Sequence, residues 1–440
     1  MRKFFFMLMT AWAALSLFVA CEKNEEVCPP AGKSAETSIV LPEGLTPKIG
    51  YREAFEIARR GIDLLESSSS TRAAGGRALD PANVKYVVTP ATRSGSSPDT
   101  LMYVFNFADS AGFALVATAR ESEQLLAVTE KGTYTPGEQT GNPGFDLYMK
   151  CAENYLSTLS VGPGGGGIGG PVTEISKLVT YDTPVTVGPF VSVKWAQNDP
   201  YNMFCYNKKG DQCPAGCVAT AIAQIMSYFS FPTSISLTYS GADISLQSLN
   251  WTVINRHVKT GVCGLDCTEH KAIGRLFREI GKQVNMDYTP DESGAYLEDI
   301  PACLSHFGYA SSSISSYLFG RVYQSLDNEG LVCMAGTRTD EYGKKHGHAW
   351  VIDGYKTITH VVEVWVAPSS AGPWRLDDRK TTYSDYVHCN WGWGGDCNGY
   401  YGSNAFNTAN PSSLDPGSSN SGYNRNYNLM LKTITNIRIR

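Results

Sequence analysis

The sequence predicts an α+β chain built as a small α+β unit followed by a larger unit that carries any chemistry. Three observations carry this. Apolar residues make up 42 % of the 440 and charged residues 18 %, enough to bury cores in the two or three domains such a length allows. Helical and strand periodicities alternate along the chain. A run of glycines, VGPGGGGIGGPV at 161–172, divides it where the composition changes. The 43 glycines and 24 tyrosines favour turns with aromatic contacts over a helix bundle. The net charge of −5 leaves no basic footprint, so nucleic acid is not an expected partner.

The elements follow in order. Arg2 and Lys3 precede an apolar stretch from Phe4 to Val19, too short for a confident membrane span and typical of an export signal. Ala20-Cys21 closes it like a bacterial lipobox, in which the cysteine thiol is acylated. Residues 1–20 are therefore expected as a lipoprotein signal, 21–44 as a polar tether and Cys21 as the lipid anchor to a membrane. An ordinary cleaved signal with a chance cysteine is the plainer alternative. The expected location is outside the cytoplasm, on the outer membrane, the cell surface or in the periplasm, with release after maturation as a further outcome.

From 45 to 160 the pattern is a small α+β unit. Ala54, Ile57, Ala58, Ile62 and Leu65 recur at helical spacing. "VKYVVTPA" and "DTLMYVFNFADSAGFALVATA" read as strands around an Asp-Ser-Ala-Gly turn. A second helix is expected over 142–160. The segment 161–184 is expected as a linker and maturation region, because glycines offer no side chains to pack. Residues 185–440 hold seven of the eight tryptophans and all seven histidines. Nine of the twelve cysteines lie there as well. Export would let disulfides persist, and Cys263/Cys267 and Cys389/Cys397 are close enough in sequence to be bridged, although pairing cannot be read from sequence.

The stretch CPAGCVATAIAQIMSYFSFP (213–232) turns at Pro214-Ala215-Gly216 and continues as an apolar helix stopped by Phe231-Pro232. Cys217 falls in its first turn. Unpaired N–H groups and the positive end of the helix dipole lower a thiol pKa there, which suits a nucleophile. A buried cysteine at a helix start is the plain alternative. Such a nucleophile needs a base, and His348 begins the strand pattern "HAWVIDGY"; a hydrogen-bonded core histidine would look the same. The base needs an orienting group, which Asn390 in "HCNWGWGGDCNGYY" could supply through its side-chain oxygen, with Trp391 and Trp393 excluding water. Gln197 in "KWAQNDPYN" could pair with the Cys217 N–H to bind an oxyanion.

The order Gln197, Cys217, His348, Asn390-Trp391 resembles papain-like cysteine proteases. "WAQNDPYN", "GCVATAIAQIMSYFSFP", "HAWVIDGY" and "NWGWGG…NGYY" look more closely like the streptopain family over roughly 185–440, and 45–160 is similar to that family's inhibitory prodomain. The resemblance implies a papain-like two-lobed catalytic domain, with a helical lobe and an antiparallel β-barrel-like lobe. It implies Cys217 as nucleophile, His348 as general base and acid, Gln197 as oxyanion donor, and Asn390 and Trp391 as the groups that orient His348. Gly216, Ala335, Gly336, Thr337 and Trp393 would line the substrate cleft. The expected protein is a latent endopeptidase acting on proteins or peptides, held by its own prodomain as intramolecular inhibitor, with no cofactor.

Three other readings compete. Cys213 and Cys217 with Cys263, Cys267 and His270 superficially suggest zinc, but the first pair runs straight into a helix, and no metal is expected. A binding lipoprotein without activity would have no need of all four site residues. A papain-like amidase or transglutaminase would use the same dyad on another substrate. Cys213 is expected either bridged, with Cys205 as partner, or buried away from Cys217.

Overall fold

The computed structural model describes residues 48–440 except 67–76, 78, 89–99, 121, 123, 139, 160–174, 239–243, 261–267, 340–344, 368–369, 371 and 408–429. Cys21, the export signal, the tether, the glycine run and Cys263/Cys267 lie outside the described residues.

The N-terminal segment folds as its periodicity predicts. Helix α1 (Tyr51–Glu66) buries Ala54, Ala58, Ile62 and Leu65 on one face. Strands β1 (Leu79–Val88), β2 (Thr100–Phe107), β3 (Phe113–Ala117) and β4 (Leu125–Thr129) make an antiparallel meander. Between β2 and β3 the chain reverses through Asp109, Ser110 and Gly112, all at positive φ. Helix α2 (Pro143–Leu159) follows. Strand β5 (Ile175–Val187) comes next, so the later part of the expected linker, 175–184, is a paired strand.

Helix α3 (Cys217–Phe229) is the centre of the helical part. Every residue from Val218 to Ser227 is buried, and small Ala219, Ala221 and Ala223 let neighbours approach closely. The hairpin β6 (Ser234–Thr238) and β7 (Ile244–Ser248) leads to α4 (Trp251–Thr260) and α5 (Thr268–Gln283), the latter packed on α3. The short β8 (Asp287–Tyr288) and β9 (Ser293–Gly294), α6 (Ile300–His306), β10 (Tyr309–Ala310), β11 (Ser315–Ser316) and α7 (Phe319–Asp327) complete this side.

The other side is antiparallel sheet. Strand β12 (Leu331–Thr339) pairs with β13 (Lys345–Ala367), which pairs with β14 (Arg375–Asn390) along almost its whole length. Strands β15 (Gly399–Gly402) and β16 (Met430–Ile439) finish the chain. Among the described residues the main path runs β1-β2-β3-β4-β15-β14-β13-β12-β16-β10. The N-terminal meander and the C-terminal sheet are therefore one continuous sheet, joined where β4 pairs with β15. Their cores are continuous too: Tyr148 of α2 packs edge-on against Tyr401 of β15, with ring centroids 4.6 Å apart. The fold is α+β, with helices gathered beside an antiparallel sheet.

Candidate active site

Three elements converge on the site. The first is the turn before α3. Gly216 has φ 91°, a conformation L side chains rarely adopt. A Cβ there would also lie 2.6 Å from Met286 Cε and 3.1 Å from the Ser293 carbonyl oxygen. Glycine at 216 is thus required twice, and it sets Cys217 as the first helical residue. Gln197 braces this turn, its carbonyl accepting from the Ala215 N–H at 2.8 Å.

The second element is β13. His348 is buried, stands opposite Gly336 of β12, and is followed by Ala349, whose N–H faces the Cys217 sulfur. The sheet register sets His348 opposite Gly336, flanked by Ala335 and Thr337 on β12, and Ala349 next to it reaches the start of α3 at Cys217. The third element is the end of β14 with its glycine turn. Trp391 is fully buried, its indole N–H donating to the Cys397 carbonyl at 2.8 Å and its own N–H donating to Asn398 Oδ1 at 3.0 Å. Trp393 meets the His348 ring edge-on at 6.0 Å, and Trp350 stacks on it at 6.2 Å.

The expected bond from Asn390 to His348 is not made. Asn390 Nδ2 donates to the Val193 carbonyl at 2.9 Å, and its Oδ1 accepts from the Gly392 N–H at 3.3 Å. His348 Nε2 instead lies 2.9 Å from the Trp391 carbonyl oxygen. A carbonyl can only accept, so Nε2 carries the proton and Nδ1 is left as the basic nitrogen. The start of α2 covers the ring on the other side. A Cβ on Gly144 would lie 2.6 Å from His348 Cδ2 and 2.3 Å from Trp391 Cε3, so only glycine fits there. One turn on, Leu147 covers Gly336, where a Cβ would lie 2.2 Å from its methyl group. Asn142 holds the helix start, its Oδ1 accepting from the Gly144 and Phe145 N–H groups and its Nδ2 donating to the Asp396 carbonyl.

Electrostatics match this covered state. Burial pushes the Cys217 thiol up and outweighs the backbone N–H groups of Ala349, Val218 and Cys217 itself, which favour the thiolate. Burial pushes His348 down to about 4. At neutral pH the pair stands as thiol and neutral imidazole.

Residues 195–401 match the Peptidase C10 family. The match takes in Gln197, Cys217, His348, Asn390 and Trp391. This cysteine-type endopeptidase is 26 % identical over 404 residues to streptopain of Streptococcus pyogenes, covering 85 % of this chain and 89 % of streptopain. It is 24 % identical over 366 residues to the thiol protease/hemagglutinin PrtT of Porphyromonas gingivalis, covering 77 % of this chain but only 37 % of PrtT. Among solved structures it is similar to a prointerpain A fragment of Prevotella intermedia at 21 % identity, covering 81 % of this chain and 99 % of the other, with a TM-score of 0.48.

The described cysteines of this peptidase all stand as free thiols. Cys213 is buried, opposite Cys205 across a small bridge, and is not bonded to it. Cys389 and Cys397 are not bridged either: Cys389 stands opposite Gly399, which leaves Cys397 in the turn. Among the described residues no cluster of His, Cys, Asp and Glu could hold a metal ion.

Sequence reasoning missed several residues that shape the site. Gly144 and Leu147 carry no chemical signal at all. Asp353 and His388 do carry one: a lone acid in an apolar strand needs a buried partner. Asp353 Oδ1 lies 2.6 Å from His388 Nδ1, and its Oδ2 accepts from the Val191 N–H at 2.9 Å. This pair ties β13 to β14 between His348 and Asn390.

Proposed function

We propose that the chain is made as a latent endopeptidase whose dyad is Cys217 and His348, with residues 45–160 as its built-in inhibitor. The observation that carries the reading is the contact of Gly144 and Leu147 with His348 and Gly336. Helix α2 fills the side of the cleft where a substrate and a hydrated imidazole would have to sit. A buried neutral imidazole and a half-buried thiol are the unreactive form of such a pair.

Removal of α2 opens both groups to solvent and lowers the penalty on their charged forms. His348 Nδ1 then takes the Cys217 proton, the thiolate attacks a peptide carbonyl, and the same imidazole protonates the leaving amine; water hydrolyses the thioester. Gln197 and the N–H groups at the start of α3 serve the developing oxyanion. Asn390 and Trp391 orient His348 in that state, Asn390 by exchanging the Gly392 N–H for the imidazole. Gly216, Ala335, Gly336, Thr337 and Trp393 line the cleft for a protein or peptide chain. The cut that starts maturation falls in 160–174, because β5 is held in the sheet by β13. Export and a lipid anchor at Cys21 belong to the same reading and rest on the sequence of the first 21 residues.

The test compares the full chain with residues 175–440 on a casein-type substrate under reducing conditions. The shorter chain is expected to be active and the longer one latent. Cys217→Ala is expected to lower the rate of the active form by more than about a thousandfold. Equal activity in that variant would remove the nucleophile assignment.

A further inference from the structure

The junction between the N-terminal segment and the rest is more than a cover on the cleft. Strand β4 lies on β15 with Thr129 opposite Gly399, Val128 opposite Tyr400 and Ala127 opposite Tyr401. Where β4 ends, the Glu130 N–H donates to the Asn398 carbonyl at 2.7 Å, and the carboxylate enters a cationic socket. Lys194 Nζ donates to Glu130 Oε2 at 2.7 Å, and His388 Nε2 stands 3.5 Å from Oε1. His388 is buried, with Asp353 on its other ring nitrogen, and among the described residues Nε2 makes no hydrogen bond of ordinary geometry. Beyond the socket, Lys131 Nζ pairs with Asp396 Oδ1 at 2.6 Å. On the far side of Tyr400, buried Lys356 donates to the carbonyls of Leu64 and Leu65, the last turn of α1.

Strand pairing, a shared apolar core and buried lysine-to-carbonyl hydrogen bonds are the marks of a lasting interface, not of a tethered encounter, and the half-exposed ion pairs at its rim set its register. A tether matters only where the untethered affinity is weak. We propose that the Lys194–His388 socket beside the β15 edge is a docking surface for a strand ending in a carboxylate, and that its occupant after the first cut is this chain's own N-terminal segment. That segment stays bound as a non-covalent inhibitor anchored by Glu130, so the cut at 160–174 does not by itself release activity; a second digestion of the bound segment does. The inference rests on the latency reading above.

The experiment uses the full chain with Cys217→Ala, and with residues 161–172 replaced by the recognition sequence of a site-specific protease. After complete cutting, native mass spectrometry and size exclusion at about 1 μM should show both fragments in one particle. Glu130→Lys should weaken the complex at least tenfold, enough to separate the fragments on dilution, and Glu130→Lys with Lys194→Glu should restore it. Glu130→Gln, which keeps the shape, should weaken it less than the lysine does. Thermal unfolding of each uncut variant checks that it folds. Fragments that part on cutting alone overturn the proposal, as does a Glu130→Lys complex as tight as the parent. Both readouts are independent of catalysis, so an error in the dyad assignment would leave them intact. With Cys217 present, the cut chain should hydrolyse peptide at the uncut rate until the N-terminal fragment is digested; a full rise on cutting alone overturns the proposal.

Discussion

At the residue scale the site is governed by two glycines and two histidines. Gly216 frees the turn that delivers Cys217 to the helix start, whereas Gly144 lets a foreign helix lie against the imidazole. A methyl group at 144 has no room between His348 and Trp391. Overpacking of this kind costs about 1–3 kcal/mol, and 1.4 kcal/mol is a tenfold change in an equilibrium. Gly144→Ala should therefore raise the activity of the uncut chain about tenfold, measured as initial rate before any cleavage appears on a gel. An unchanged rate would mean that α2 does not control the site. The two histidines respond to pH in opposite directions. His348 is pushed down to about 4 in the covered state, against an ordinary value near 6.5. Below pH 6.5 the uncovered ring takes a proton that the covered ring refuses, so the latent state loses up to about 3 kcal/mol as the pH falls to 4. For His388, burial works downward, but Asp353 and Glu130 prevail and push it up to about 10. Its ion pairs support the fold fully below pH 6.5, and that support is lost as the pH rises through 10. His388 and Lys194 hold the Glu130 carboxyl well below the usual range against its burial, so acid does not reach it first. The ratio of uncut to trimmed activity should rise between pH 6.5 and 4; a flat ratio would contradict the covered-histidine account.

At the element scale each strand or helix serves two neighbours. Strand β13 carries His348 toward Cys217 at one end, and further along it carries Lys356 into the end of α1. The last carbonyls of a helix lack partners within it, and here a buried lysine from another element supplies them. Removing the lysine takes its partner from the buried Leu65 carbonyl, at about 1–3 kcal/mol. Lys356→Met should lower the denaturant midpoint of the full chain and raise its basal activity severalfold, while residues 175–440 with the same change keep their rate. If the full chain is unmoved in both, α1 does not depend on this contact. The periodicity of α1, α2 and α3 was plain from residue spacing, because each buries one stripe of small and apolar residues. The reach of β13 and β14 was not, since the polar and charged stretch RLDDRKTTYSDY does not alternate cleanly; the pairing that makes it a strand comes from β13.

At the scale of the whole molecule, the N-terminal segment and the peptidase share a sheet and a core. A boundary drawn at the glycine run marks where composition changes, but the folded units do not divide there in space. The described chain from 48 onward should accordingly unfold in one cooperative step, with circular dichroism and tryptophan fluorescence giving the same midpoint. Two separated transitions would mean that the N-terminal segment melts alone, and that β4 adds little to β15.

The sequence by itself determined the α+β class, the helix behind Cys217 and the candidate set of Gln197, Cys217, His348, Asn390 and Trp391. These were legible because nucleophile, base and helix start are local patterns of residue type. Only the tertiary structure decided what His348 touches. Its partner is the Trp391 carbonyl and its cover is Gly144, two contacts between residues 43 and 204 positions apart, made by backbone and by a missing side chain. Neither leaves a chemical mark in the sequence. The Glu130 socket was hidden for the same reason. Glu130, Lys194, Asp353 and His388 are ordinary charged residues until sheet pairing sets the half-buried Glu130 between the exposed Lys194 and the buried His388–Asp353 pair, and that closeness is what turns their charges into an anchor.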